Sequence, residues 1–185
     1  MPGSPRRSKT SRAPSALPAR QRGRTAALSG AVTLVGGSLS GWVGAVVAFT
    51  PQPFPLSSAN CLEPAGPARP DAFVGVAGVY SLDQFDPGYL NGFFGGTRQA
   101  APGAWAAGNP YVIVTANGNE TIPVRIVAGS KDTVGSAISQ QTFPALLSAS
   151  GYNVTLTMIP GANHAAVFTA PQTAATILSV AQGRP

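Results

Sequence analysis

The sequence predicts an α/β protein, a mostly parallel sheet of about four strands flanked by helices. Three observations predict it. Short apolar or β-branched runs at residues 31–35, 72–80, 124–128 and 154–159 are bounded by Gly, Pro, Asn and Asp. Segments with helical character, 39–49 and 136–150, follow two of them. Ser38, Asp132 and His164 each fall just beyond the end of such a run, where parallel sheets gather their chemistry.

Composition narrows the function classes. A chain of 185 residues is about one domain long. A single Cys, Cys61, allows no disulfide framework within the chain, and a single His, His164, excludes any site that needs two histidines. Zinc fingers and His-Glu-x-x-His zinc proteases are excluded with them, and no metal or organic cofactor is implied.

Charge is unevenly placed. Of 12 Lys and Arg, seven lie in the first 24 residues (Arg6, Arg7, Lys9, Arg12, Arg20, Arg22 and Arg24), where no acid occurs. The other 161 residues carry five basic and six acidic side chains, so the formal +6 belongs to a tail and the body is nearly neutral. No specific nucleic-acid partner is therefore expected. Residues 1–28, poor in large apolar side chains, read as a disordered basic tail ahead of a domain at 29–185. A weak arm for nucleic acid or anionic surfaces, a targeting segment, a start-site or gene-fusion artefact and a solvated tail of no specific role are the competing readings of it.

The first element lies in an uncharged stretch. Residues 26–49 follow a basic segment without a single charge, which is also the pattern of a membrane helix or a long signal sequence. Five glycines and four Ser or Thr make it weakly apolar, and Gly36-Gly37-Ser38 divides it into a β-branched strand at 31–35 and a small-residue helix at 39–49. No membrane association is expected on this reading.

Strand, sharp turn and helix with Ser38 at the apex describe a turn that strains the central residue and lifts its side chain clear of the sheet. Small residues are needed two before and two after it, because strand and helix approach closely there. Those positions hold Gly36 and Ser40, so the common Gly-x-Ser-x-Gly pattern has Ser in its last place and Gly one residue later, at Gly41. The helix that follows aims its first N–H groups at the serine. A phosphate-binding loop is excluded because no Gly-Lys-Ser/Thr follows.

Residues 50–70 read as a Pro/Ser/Ala-rich loop with Cys61 as a bystander, and 72–80 as a buried strand. Residues 101–110, with Trp105 and Asn109-Pro110, read as a turn region. Asn119-Glu120-Thr121 and Asn153-Val154-Thr155 match the glycosylation pattern, the second inside a predicted strand, and neither is given weight. Residues 171–182 predict a terminal helix with Ala174, Ile177, Leu178 and Ala181 on one face.

Pro-Val-Arg-Ile-Val-Ala-Gly-Ser-Lys-Asp at 123–132 is a short strand with Asp132 in the loop at its end. Alone, Asp132 also reads as a cap for the next helix. The alternating run at 154–159 is followed by Pro160-Gly161-Ala162-Asn163-His164, which puts the histidine in the same relative place as Asp132.

Residues 32–48, 74–82, 123–134 and 154–167 together resemble the last four strands of the α/β-hydrolase fold, most closely the small bacterial carboxylesterases, lipases and dienelactone-hydrolase-like enzymes. The resemblance runs from about residue 31 to the C terminus. It implies Ser38 as nucleophile, His164 as general base and acid, Asp132 as the group that orients His164, and the Leu39 backbone N–H as an oxyanion donor. It further implies a serine carboxylic-ester hydrolase acting on a small-molecule ester through an acyl-serine intermediate, with no cofactor. By the same analogy, residues 81–96, with Asp83, Asp86, Tyr89, Phe93 and Phe94, are a helical insertion near the site mouth whose aromatic side chains serve packing. The chemistry has its own need: a serine hydroxyl is a poor nucleophile until an imidazole takes its proton and a carboxylate stabilises the imidazolium.

Enzymes of this kind carry strands before the nucleophile strand, and a loop there, often His-Gly-Gly-Gly, supplies a second oxyanion donor. Only 30 residues precede the predicted strand here, and they hold no such motif. The expectation is the C-terminal half of a hydrolase domain, weakly active alone, with residues 31–35 as an open sheet edge available for association. Two alternatives stay open: a prolyl-oligopeptidase-like serine peptidase, and a non-enzymatic membrane-anchored or secreted protein with an apolar helix at 26–49.

Overall fold

The computed structural model describes residues 31–50, 70–116 and 121–183. The expected tail at 1–28, Cys61 and the Asn119 pattern lie outside the described residues. Strands β1 (Thr33–Gly37), β2 (Ala72–Val76), β3 (Val124–Gly129) and β4 (Val154–Ile159) pair in the order β1-β2-β3-β4, every pair parallel. The four-stranded parallel sheet flanked by helices is thus as the sequence predicts. Spatial order follows chain order, and each connection holds at least one helix, as a parallel crossover requires.

Central strands β2 and β3 are buried along their whole length, so their sequences, Ala-Phe-Val-Gly-Val and Val-Arg-Ile-Val-Ala-Gly, do not alternate. Arg125 is the one charge among them, and its guanidinium donates to the carbonyls of Val124 and Asn153. On one face, α1 (Leu39–Phe49), α4 (Pro110–Thr115) and α5 (Ala137–Ala149) enclose a core around Phe49, Phe73, Ile126 and Phe143. On the other, α6 (His164–Thr169) and α7 (Pro171–Ala181) cover Val74, Val127 and Val167.

A layer of short elements joins β2 to β3: a 3₁₀ turn (Leu82–Gln84), α2 (Pro87–Phe94), α3 (Pro102–Ala107) and then α4. Each of these three α-helices opens on a proline, whose missing N–H is no loss in a first turn. Asp86 and Asn109 cap α2 and α4. Trp42, Leu82, Leu90 and Trp105 form a third small core that fastens the layer to α1. The Trp42 indole N–H donates to the Gly108 carbonyl at 2.6 Å, and that of Trp105 to Gly96 at 2.9 Å. Phe94 stands against both indoles, while Phe93 and Tyr89 are half-exposed.

Three expectations about helices differ from the structure. Residues 101–110 are not merely a turn: they form α3, because burying Trp105 outweighs the cost of Gly103 in a helix. The inward face of α7 is Thr173, Ile177 and Val180, not Ala174, Ile177, Leu178 and Ala181; Leu178 is 59% exposed. Thr173 takes the inward place because its hydroxyl donates to the Val167 carbonyl. An unbroken apolar helix over 26–49 does not occur in its described part, where β1, Ser38 and α1 succeed one another. Among the described residues no helix is long and apolar enough to cross a membrane. β1 lies at an end of the strand order and leaves Val32 and Val35 exposed.

Candidate active site

Ser38 sits between β1 and α1 at φ 52°, ψ −125°, a backbone that residues with a Cβ seldom adopt. Its N–H donates to the Val76 carbonyl at 3.0 Å, and its own carbonyl accepts from the N–H groups of Gly41 (2.9 Å) and Val79 (3.1 Å). The turn is therefore fixed by both the next helix and the neighbouring strand. Its tightness is visible at Gly36, where a Cβ would collide with the Ser40 carbonyl. A Cβ on Gly41 would stand 2.6 Å from the Gly78 Cα. Ser40 is exposed. The wall that demands a small residue after the serine thus faces position 41, which accounts for the Ser-Gly order at 40–41.

Asp132 follows β3 and is only 3% exposed. Its Oδ1 accepts from the N–H groups of Val134 (2.8 Å) and Gly135 (3.0 Å), and its Oδ2 from Gln140 Nε2 (2.8 Å). Burial pushes this carboxyl toward its neutral form, but the hydrogen bonds from Gln140, His164, Gly135 and Val134 outweigh it and hold the group below its usual value. The helix that follows is capped by Ser136, whose Oγ accepts from Ser139 N–H, so Asp132 is not spent on capping it.

His164 opens α6 after a loop laced to the one that carries Asp132. Ser130 N–H donates to the Ile159 carbonyl (3.1 Å), Lys131 N–H to that of Ala162 (3.0 Å), and Gly161 N–H to Ser130 Oγ (2.8 Å). The imidazole then reaches both partners: Nδ1 lies 2.9 Å from Asp132 Oδ2, and Nε2 lies 2.9 Å from Ser38 Oγ. An ionised carboxylate can only accept, so Nδ1 carries the proton and Nε2 accepts from the Ser38 hydroxyl. Phe168, one turn later, meets the imidazole edge-on at 5.5 Å between centroids.

The structure therefore brings Ser38, His164 and Asp132 into one hydrogen-bonded chain. Leu39 is the first residue of α1, so its N–H is among those with no intrahelical acceptor. Among the described residues, three other than Gly have positive φ: Ser38, Ala77 (47°) and Ser136 (42°). They lie in the segments that leave β1, β2 and β3, at the rim that carries the site. No group of three or more His, Cys, Asp or Glu among the described residues could hold a metal ion.

Gln140 is the site residue that sequence reasoning missed. It is fully buried on α5 and donates to the same Asp132 oxygen that faces His164, while its Oε1 has no hydrogen-bond partner. The signal was its place three residues before Phe143 and seven before Leu147, on the inward helical face where an apolar side chain is expected.

No family model matches the chain, and no curated protein matches it. Solved structures do. A truncated form of a carbohydrate esterase from gut microbiota matches with a TM-score of 0.66 at 16% identity, over 83% of this chain and 59% of its own. A propionate-bound esterase of the planctomycete Thermogutta terrifontis matches with a TM-score of 0.57 at 18% identity, over 82% of this chain and 56% of its own. The chain thus spans little more than half the length of these structures. At such identities the likeness is one of fold alone: the sheet and helices described above are arranged as in these solved structures.

Proposed function

We propose that the protein hydrolyses carboxylic esters through an acyl-serine intermediate formed on Ser38. The observation that carries the proposal is the chain of hydrogen bonds from Ser38 Oγ through His164 to Asp132, set on a strained turn at the rim of a parallel sheet. The esterase-like fold supports it. Ser38 Oγ attacks the ester carbonyl as its proton passes to His164 Nε2. Asp132 holds the ring in the tautomer that can accept that proton and stabilises the imidazolium. The tetrahedral oxyanion takes a hydrogen bond from Leu39 N–H. His164 then gives the proton to the departing alcohol, leaving the acyl-serine, and a water molecule repeats the cycle to release the acid and restore Ser38.

No second oxyanion donor is assigned among the described residues. Lack of one such donor costs on the order of 10²–10³ in rate, so slow turnover by this chain is part of the proposal. The outer edge of β1 is the place proposed for association with a further strand.

The direct test is a fluorophosphonate probe, which forms a covalent adduct with an activated serine. One adduct per chain is expected, on the peptide that holds Ser38, and none in Ser38→Ala. Labelling at another serine, or none under conditions that label a known serine esterase, overturns the proposal.

Gln140 acts in this scheme as a positioning residue, keeping Asp132 Oδ2 turned toward His164. Gln140→Leu removes the donor and keeps most of the side-chain volume. A hydrogen bond to a charged group contributes roughly 1.5–3 kcal/mol, so kcat is expected to fall about 10- to 100-fold. KM should stay unchanged; a rise in KM at constant kcat would place Gln140 in substrate binding instead.

A further inference from the structure

We infer that Phe168 is the wall against which the alcohol part of the ester rests, and that it selects esters of neutral, apolar alcohols that carry a ring over esters of small alcohols. This rests on ester hydrolysis at Ser38.

Two contacts tie the Phe168 ring to the reacting atoms. It meets the His164 imidazole at 74° between planes and 5.5 Å between centroids. It also fills the space that a side chain at Gly37 would need: a Cβ there would stand 2.5 Å from Phe168 Cε1. Gly37 precedes Ser38, whose Oγ lies 2.9 Å from Nε2 of the same imidazole. The ring therefore stands beside both ends of the Ser38–His164 hydrogen bond.

Packing does not account for its place. α6 is fastened to the sheet through Val167, which is fully buried, whereas Phe168 stays 44% exposed and joins none of the three cores. A glycine inside a strand costs chain entropy and gives up a side chain for packing. At Gly37 the space so freed goes to an aromatic ring that is left half bare. Apolar surface open to solvent next to a nucleophile is surface that a bound substrate can cover.

The chemistry selects which part of the substrate covers it. In the tetrahedral intermediate the oxyanion turns to Leu39 N–H, and the leaving oxygen has to lie within hydrogen-bond reach of His164 Nε2 to receive its proton. The alcohol thus lies on the histidine's side, and Phe168 packs on that side, one turn on from His164 in α6. Residues 31–49 and 154–181, which carry Ser38 and His164, hold no Lys, Arg, Asp or Glu. A charged alcohol laid on the ring would lose water and find no counter-ion in these segments.

The test has two arms on the full chain. With active protein, kcat/KM is compared for benzyl acetate and ethyl acetate, which share the acyl group and differ in the alcohol. Their ratio should fall roughly three- to tenfold in Phe168→Ala, as loss of one aromatic contact predicts. Gly37→Ala should lower it likewise, because the added methyl displaces a ring that is free to swing aside. The ratio of ethyl butanoate to ethyl acetate should stay unchanged in both variants. An unchanged benzyl-to-ethyl ratio, an equal fall for both acetates, or a shift in the acyl ratio instead overturns the assignment; the equal fall would make Phe168 a positioning residue for His164. In the second arm, saturation-transfer NMR on Ser38→Ala protein with benzyl acetate should show transfer to the ring protons, at least halved when Phe168→Ala is added. No transfer, or transfer indifferent to Phe168, also overturns it. If no acetate is turned over while the transfer still depends on Phe168, ester hydrolysis at Ser38 fails and the binding wall stands.

Discussion

Ser38→Ala and His164→Ala are each expected to lower kcat for a small ester by roughly 10⁴- to 10⁶-fold, and the double variant by no more than the worse of the two. The reason is the 2.9 Å contact between Ser38 Oγ and His164 Nε2: without the base the hydroxyl keeps its proton, and without the hydroxyl the base has no proton to take. Asp132→Asn should cost about 10⁴-fold, since an amide at that place disturbs the tautomer that leaves Nε2 free to accept. Steady-state hydrolysis of p-nitrophenyl acetate by the four proteins checks this, with circular dichroism confirming the fold of each. A double variant whose loss equals the product of the single losses would mean that the two side chains act independently, and the assigned proton transfer would be wrong.

A large effect on stability is expected at Gly36. A methyl group there would meet the Ser40 carbonyl, which is backbone and cannot swing aside. Strand and helix would have to part at the turn that fixes Ser38. Gly36→Ala should therefore lower unfolding free energy by about 3 kcal/mol, the upper part of the usual range for overpacking. The urea midpoint should fall with the slope unchanged. Ser40→Ala serves as contrast: the residue is exposed, so a change within about 0.5 kcal/mol is expected. Equal effects of the two substitutions would show that the turn tolerates a Cβ on the strand side.

Much of the fold and the core of the site could be read from the chain. The runs at 124–128 and 154–159 match β3 and β4 to within one residue. Ser38, Asp132 and His164 were legible because each follows a strand, and in a parallel sheet that fact alone puts them on one rim. The strand predicted over 72–80 is longer than β2, which stops at Val76 because Ala77 turns to φ 47°, a conformation its residue type does not announce. Pro-Tyr-Val-Ile-Val-Thr at 110–115 carries a β-branched pattern yet is helical, since α4 buries Ile113 and Val114 against the core. Gln140 is illegible for a related reason. Its contact with Asp132 depends on what packs across space, and single-chain periodicity holds no record of that.

The match between spatial and chain order has a consequence for how the molecule is made. Each strand docks on one synthesised just before it, so the sheet can grow from one side as the chain lengthens. Ser38 takes its place with the first pair of strands, whereas the imidazole arrives only after the fourth. A nascent protein halted anywhere before residue 164 thus holds its hydroxyl in position without an imidazole beside it, and the proposed hydrolysis has to wait for α6.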